Sequence, residues 1–364
     1  MKTLIALWLL ILMGSTACTE EETVVFVDGD ELNRKPDAEL PDVSLKEKAT
    51  FNIGAAVKAG YIENEAAYSQ ALSGNFNQLT AEFEMKMEVI WSAPHSYNWE
   101  KADDLVGYAE SNNMDVHGHA LVWYRSFPEW FGQAEYDSTA FENHVKKYIT
   151  DVVGHYKGKV KSWDVVNEVF ADGGGLRNED IIKPVFNDPI AFYGRCFQYA
   201  RNADPDARLF YNDYSVVTDS GKRDAIKAMI DRFAAEGYPI DGVGDQFHYM
   251  QSTDKTTMQN GFTDLAGTGL LIHISELDIR MNLQQSESYV FTGTEAEKQA
   301  DTYRFIVEMY ENLPDTQKFA ITTWGVTDKY TWITDYWHEN EYPLLLDETY
   351  AKKPAYYGFL EGLE

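Results

Sequence analysis

From about residue 49 onward, short apolar runs alternate with longer amphipathic stretches, and this alternation constrains the fold more than any other property of the chain. The apolar runs are FNIGAAV (51–57), FNQLT (76–80), MDVHGHALVW (114–123), VKSWDVVNE (160–168), ARLFYND (207–213), DGVGDQFH (241–248), LLIHISELD (270–278) and FAITTWG (319–325). Helical periodicity fills the gaps, for instance in AFENHVKKYITDVVGHY (140–156) and DAIKAMIDRFAAEG (224–237). Strands separated by helices pair in parallel, because a parallel partner requires a crossover long enough to hold a helix. Eight such units predict an α/β chain folded as a (β/α)8 TIM barrel, one catalytic domain over residues 49–364. No repeat or second boundary follows residue 48.

The ends of these runs are polar where a core strand should not be. In WDVVNEVF (163–170), Val165, Val166, Val169 and Phe170 suit a pleated core, but Asn167 and Glu168 do not. Burying an ionised carboxylate without partners is costly, so the strand should stop there with its end in a cleft. Barrels of this kind carry their functional groups at the C-terminal ends of the strands. Glu168 closes the fourth run and Glu276, in HISELDIR, the seventh. His119 lies on the third, Asn212 on the fifth, Gln246 and His248 on the sixth and Trp324 on the eighth. Taken singly, His119 reads equally as a core histidine, Asn212 as a loop cap, Asp278 as an ion-pair partner, and Trp123 and Trp332 as packing residues. Together they describe one polar face.

Two carboxylates across a cleft suit glycosidic bond cleavage, one protonated to assist the leaving oxygen and one ionised to attack or to activate water. Their surroundings must then hold their proton affinities apart. Glu276 has His248 and Asp278 for company, which favours the carboxylate. Glu168 has Val166, Val169 and Phe170 beside it and a negative Glu276 opposite, which favours the acid. Glu168 is therefore read as acid/base and Glu276 as nucleophile, although spacing alone leaves the reverse assignment open.

Composition narrows the partner. A net charge of −28 disfavours nucleic acid, whose recognition rests on neutralising phosphates. Nine Trp and 23 Tyr supply flat apolar faces of the kind that stack on sugars. No HExxH spacing or cysteine cluster predicts a metal, and no cofactor is expected. Gly173-Gly174-Gly175 lacks the Lys-Ser/Thr of a phosphate loop and reads as a flexible loop bordering the cleft.

Residues 1–17 read as a signal peptide, with Lys2, an apolar run from Leu4 to Met13 and then small residues. Cys18 follows as a lipidation site, and residues 18–48, with Thr19-Glu20-Glu21-Glu22, Pro36 and Pro41, as an acidic tether. The expected location is the outer membrane, exposed at the cell surface, with a periplasm-facing or secreted form as alternatives. The lipid is the sole membrane contact expected, and a monomer is expected. Cys196, the other cysteine, sits in a helical pattern as a small core residue.

Six motifs occur in order: GHALVW (118–123), WDVVNEVF, ADPDARLFYNDY (203–214), GVGDQFH (242–248), SELDIR (275–280) and WGVTDKYTW (324–332). On these the chain resembles glycoside hydrolase family 10, the endo-β-1,4-xylanases, across residues 49–361. The resemblance implies a retaining xylanase, here joined to the lipid tether expected at Cys18, with Glu168 as acid/base and Glu276 as nucleophile, the two carboxyl groups about 5–5.5 Å apart. It implies that Asn167 binds the 2-hydroxyl, that His248 orients Glu276 with Asp278 behind it, and that Asn212 and Gln246 support the glutamates. His119, Lys86 and Glu82 would serve the glycone side, with Trp123, Trp324 and Trp332 walling the −1 site. The chain departs from the family at Phe83, where Asn is usual, at Met87, where Trp is usual, and at Tyr124, where His is usual. Phe83 and Tyr124 keep one alternative in view, the same chemistry on a mixed-linkage or decorated xylan or another β-linked polysaccharide; a non-catalytic surface glycan-binding lipoprotein is the other, and the intact Glu168 and Glu276 speak against it.

Overall fold

The computed structural model describes residues 43–132, 136–179, 181–337 and 340–364. The predicted signal peptide, Cys18 and most of the predicted tether lie outside the described residues. Among the described residues there are ten strand segments: β1 (Asn52–Val57), β2 (Gln78–Ala81), β3 (Asp115–Gly118), β4 (Val122–Trp123), β5 (Val160–Asn167), β6 (Arg208–Asp213), β7 (Gly242–Asp245), β8 (His248–Met250), β9 (Leu271–Arg280) and β10 (Lys318–Thr323). Strands β10, β1, β2, β3, β5, β6, β7 and β9 pair in that order, all parallel, and β10–β9 pairing closes the ring. This is the (β/α)8 barrel that the alternation predicts.

The two remaining segments mark where the sequence reading ran too far. The third predicted strand breaks between Gly118 and Val122, and β4 resumes beside β5. The sixth breaks at Gln246–Phe247, where Phe247 turns left-handed with φ 59°, and β8 resumes beside β9. Asp245 makes that break: its carboxylate accepts from the Phe247 and Val217 amides at 3.2 and 2.8 Å. The turn brings His248 alongside Asp278 in register.

Aspartates start four of the outer helices. Asp137, Asp188, Asp219 and Asp254 each accept a backbone N–H at the head of Ser138–His155, Pro189–Ala203, Ser220–Glu236 and Lys255–Ala266, satisfying donors that have no intrahelical partner. The first of these buries Phe141, Val145, Tyr148, Ile149, Val152 and Val153 on one stripe against the barrel. Ser220–Glu236 stops at Gly237, left-handed at φ 77°.

The folded domain also begins earlier than residue 49. A short helix, Leu45–Lys48, opens with reciprocal Ser44–Glu47 capping and buries Leu45 completely, so the end of the predicted tether is part of the domain. Cys196 is buried, and burial pushes its thiol well above the usual range.

Candidate active site

The barrel interior is polar beneath the cleft. His117, on β3, hydrogen-bonds Ser162 at 2.7 Å, and its Nε2 lies 3.1 Å from the Asp164 carboxylate, both on β5. Asp164 also binds His119 Nδ1 at 2.8 Å. Burial raises the Asp164 carboxyl, but the His117 charge and the hydrogen bonds from both histidines outweigh it and hold the group well below the usual carboxylate range. His119 is thus buried and held from below, with Trp324 edge-on at 5.4 Å.

Above this layer, Asn212 joins the two glutamate-bearing strands. It stands in register with Asn167, donates to Asn167 Oδ1 at 3.0 Å and to Glu276 Oε1 at 2.8 Å, and accepts from Ser275 at 2.6 Å. The two glutamates are held differently. Glu276, its side chain 6% exposed, faces His248 Nε2 at 3.2 Å, and His248 Nδ1 lies 2.8 Å from Asp278. Trp332 Nε1 donates to the same Asp278 oxygen at 2.8 Å.

Burial disfavours a charged His248, but Asp278 and then Glu276 overcome it and lift the imidazole to about 10. Burial likewise raises Glu276, yet the His248 hydrogen bond and the His119 and His248 charges leave it below its ordinary value. Glu276 is therefore a carboxylate beside an imidazolium.

Glu168 has a neutral donor instead. Gln246 Nε2 reaches its Oε1 at 3.0 Å, and its backbone N–H donates to the Asn212 carbonyl at 2.9 Å. The residue is left-handed, with φ 57°, an unusual conformation for a side chain of this size and one that recurs at functional sites.

One wall of the cleft carries Lys86, Glu82 and Trp123. The Lys86 ammonium lies 4.9 Å from the Trp123 ring centre, and Glu82 pairs with Lys58 at 3.0 Å. Burial pulls the Lys86 amine down, opposed by Glu276, Glu82 and Glu168. Burial pushes the Glu82 carboxyl up, opposed by Lys58. Phe83 leaves 49% of its surface exposed.

The family model for glycosyl hydrolase family 10 matches residues 43–362. The chain belongs to glycosyl hydrolase family 10. It is 33% identical over 329 residues to endo-1,4-beta-xylanase B of Thermotoga neapolitana, covering 90% of this chain and 92% of that one. It is 32% identical over 372 residues to endo-1,4-beta-xylanase C of Paenibacillus barcinonensis, covering 95% of this chain but about a third of that longer protein, 34%. Among solved structures, xylanase 10B from Thermotoga petrophila RKU-1 in complex with xylobiose superposes with a TM-score of 0.81 at 34% identity, over 89% of this chain and 98% of that one. Membership of the family makes the chain a glycoside hydrolase.

In this family member, Glu168, Glu276, Asn167, Asn212, Gln246, His248, Asp278 and Trp332 form one hydrogen-bonded group. His119 and Trp324 stand against it, and Lys86 with Trp123 forms the adjoining wall. Two residues escaped the sequence reading. Asp164, which holds His119, announced itself only as a charge in the middle of an apolar strand.

Arg177 is the other. Its Nε donates to the Glu168 carbonyl at 2.8 Å. Residues 169–177 fold back as a tight hairpin, with Phe170 bridged to Leu176 and the Arg177 amide on the Val169 carbonyl. The glycine triplet inside this hairpin is tied down rather than loose. Asp219 accepts the Gly173 amide at 2.7 Å, and a Cβ on Gly174 would meet the Gly221 carbonyl oxygen at 2.2 Å.

Proposed function

We propose that this chain is a retaining endo-β-1,4-xylanase. The observation that carries the reading is the unequal treatment of the two glutamates, Glu276 ionised beside an imidazolium and Glu168 hydrogen-bonded by a neutral amide. In the first step Glu276 attacks the anomeric carbon, the glycosidic C–O bond breaks, and Glu168 gives its proton to the departing oxygen. In the second, Glu168 takes a proton from water as the water oxygen displaces Glu276 from the same carbon. Asn167 is assigned to the 2-hydroxyl, where a contact tightens as positive charge develops. His119, Lys86 and Glu82 are assigned to the glycone side, and Trp123, Trp324 and Trp332 to the wall around the reacting sugar.

Cys18 is proposed as the lipid attachment that carries the enzyme to the outer membrane, with cleavage of xylan at the cell surface. Radiolabelled fatty-acid incorporation lost in Cys18→Ala tests this part, and unchanged labelling removes it.

The enzymatic reading is tested by profiling products on linear xylan, arabinoxylan, glucuronoxylan and mixed-linkage xylan, with the anomer followed by NMR. Internal cleavage with a β-product released first is expected, and Glu276→Ala should abolish turnover while binding persists. Substantial hydrolysis by that variant would mean the nucleophile is elsewhere. The exposed Phe83 favours a second reading, the same chemistry tuned to a decorated or mixed-linkage backbone, which the same panel separates by rate. Tight binding with no product on any substrate would leave only a glycan-binding role.

A further inference from the structure

Five side chains beside Glu168 alternate cation and ring. The Arg125 guanidinium lies 5.6 Å from the Tyr124 ring centre, and Arg177 lies 5.0 Å from Tyr124 and 5.1 Å from Tyr214. The Lys222 ammonium sits 3.3 Å from the Tyr214 ring centre. Each ring lies within reach of two cations and is attracted to both, while Lys222 is itself paired with Asp172 and Asp213.

Arg177 is the member turned toward the reaction. It is 8% exposed, its Nε holds the carbonyl of the left-handed Glu168, and its Nη2 lies 3.9 Å from Glu168 Oε2. That Nη2 is buried and, among the described residues, has no hydrogen-bond partner. An unsatisfied buried donor is unfavourable; the Tyr214 hydroxyl is the other oxygen in hydrogen-bonding reach of the guanidinium, and Glu168 Oε2, 3.9 Å away, belongs to a carboxyl that becomes charged during the proposed cycle.

We infer that Arg177, clamped between Tyr124 and Tyr214, is a positioning residue that holds Glu168 at the cleft and stabilises its carboxylate in the second step. The inference rests on the acid/base role proposed above for Glu168. When the leaving oxygen has taken the proton, Glu276 is an uncharged ester and Glu168 carries the new negative charge. A small movement then closes the 3.9 Å gap into a charge-assisted hydrogen bond. Lys86, Tyr124, Arg125 and Asp213 are the other charged or titratable groups in electrostatic reach of Glu168, with Glu276 across the cleft. Asp213 is partnered by Lys222 at 3.2 Å, so it does not compete for the free corner of Arg177. Tyr124 stands where the family usually has His, so one face of the clamp is this chain's own.

The test compares Arg177→Gln and Arg177→Lys on two aryl β-xylobiosides. With a dinitrophenyl leaving group the first step needs no acid and the second limits turnover; with a poor leaving group the first step limits. Arg177→Gln should move the acidic limb on the dinitrophenyl substrate up by roughly half to one pH unit and so lower kcat on that limb by about three- to tenfold, with a smaller effect on the other substrate. Arg177→Lys, which keeps the charge, should return the limb toward its original position. The milder Tyr124→Leu, which removes one face of the clamp, should shift the limb in the same direction as Arg177→Gln. Equal loss on both substrates with unmoved limbs in folded protein would make Arg177 structural only, and unchanged kinetics would overturn the inference outright. Glu168→Ala with azide separates the two claims. Rescue of the dinitrophenyl substrate to a β-glycosyl azide upholds the acid/base assignment whatever Arg177 does, and absence of rescue overturns that assignment and the inference with it.

Discussion

Replacing Asp278 with Asn removes a charge and almost nothing else, so it isolates what holds His248 protonated beside Glu276. The imidazole rises from 6.5 to about 10, a change worth roughly 5 kcal/mol. At an effective dielectric near 20, unit charges at the observed 2.8 and 3.2 Å attract by about 6 and about 5 kcal/mol. Burial must therefore oppose the charged form by about 6 kcal/mol. With Asp278 neutral, Glu276 alone offers about 5 kcal/mol against that opposition, and His248 should titrate close to 6.5 or slightly below. Histidine ring signals in 15N-labelled protein, with His248 assigned by its absence in His248→Gln, give the answer directly. The imidazolium should persist to about pH 9 in the native chain and disappear near neutrality in Asp278→Asn. Stability follows with a definite sign. A folded-state value above the unfolded one stabilises fully below about pH 6.5, and the benefit is lost as pH rises through about 10. The melting temperatures of the two proteins should thus differ most near pH 6 to 7 and converge toward pH 10. An Asp278→Asn protein whose His248 is still an imidazolium at pH 8 would refute the charge-pair account.

Three further substitutions probe the scaffold and the cleft. Gly118→Ala places a Cβ 2.1 Å from the Trp163 ring, so the denaturation midpoint should fall by the equivalent of about 1–3 kcal/mol with the slope unchanged; an unmoved midpoint would mean β3 and β5 separate freely. Lys353→Met strands the buried Asp328, whose carboxylate it meets at 2.6 Å, and should cost about 3–5 kcal/mol, largely recovered by adding Asp328→Asn. Additive losses in the double variant would show that the pair is not coupled. Phe83→Asn should tighten xylo-oligosaccharide binding to a Glu168→Ala protein by about 1 kcal/mol in calorimetry, if the implied −2 contact is the one restored; an unchanged Kd counts against that subsite assignment.

The parallel barrel was legible in this sequence, and the breaks within its strands and the contacts between distant loops were not. Alternation of apolar and amphipathic segments fixed which residues end a strand, because a polar group there must face a cleft or go unsatisfied. Glu168 and Asn212, at the ends of β5 and β6, follow from that rule, whereas His248 opens β8 and Glu276 lies four residues short of the end of β9, which runs on to Arg280. The breaks after Gly118 and at Phe247 do not follow from it either, since the second depends on Asp245 capturing an amide near residue 217, far along the chain. Arg177 was hidden for a related reason: a hairpin held by Gly174 against Gly221 returns it to Glu168, and neither glycine advertises its partner.

The link between the two glutamates shows the same limit at its sharpest. Asn212 on β6 must pass over β7 to reach Glu276 on β9, and it can do so only because the intervening position is Gly244. A Cβ there would lie 2.4 Å from Asn212 Oδ1 and 3.3 Å from the Ser275 hydroxyl that donates to it. In the linear chain Gly244 is one glycine in an apolar run. Closed into a ring, its missing side chain is the space through which the support of one carboxylate is tied to the strand that bears the other. A residue that contributes no functional group thus sets the geometry of the site, and only the parallel register of β6, β7 and β9 identifies it.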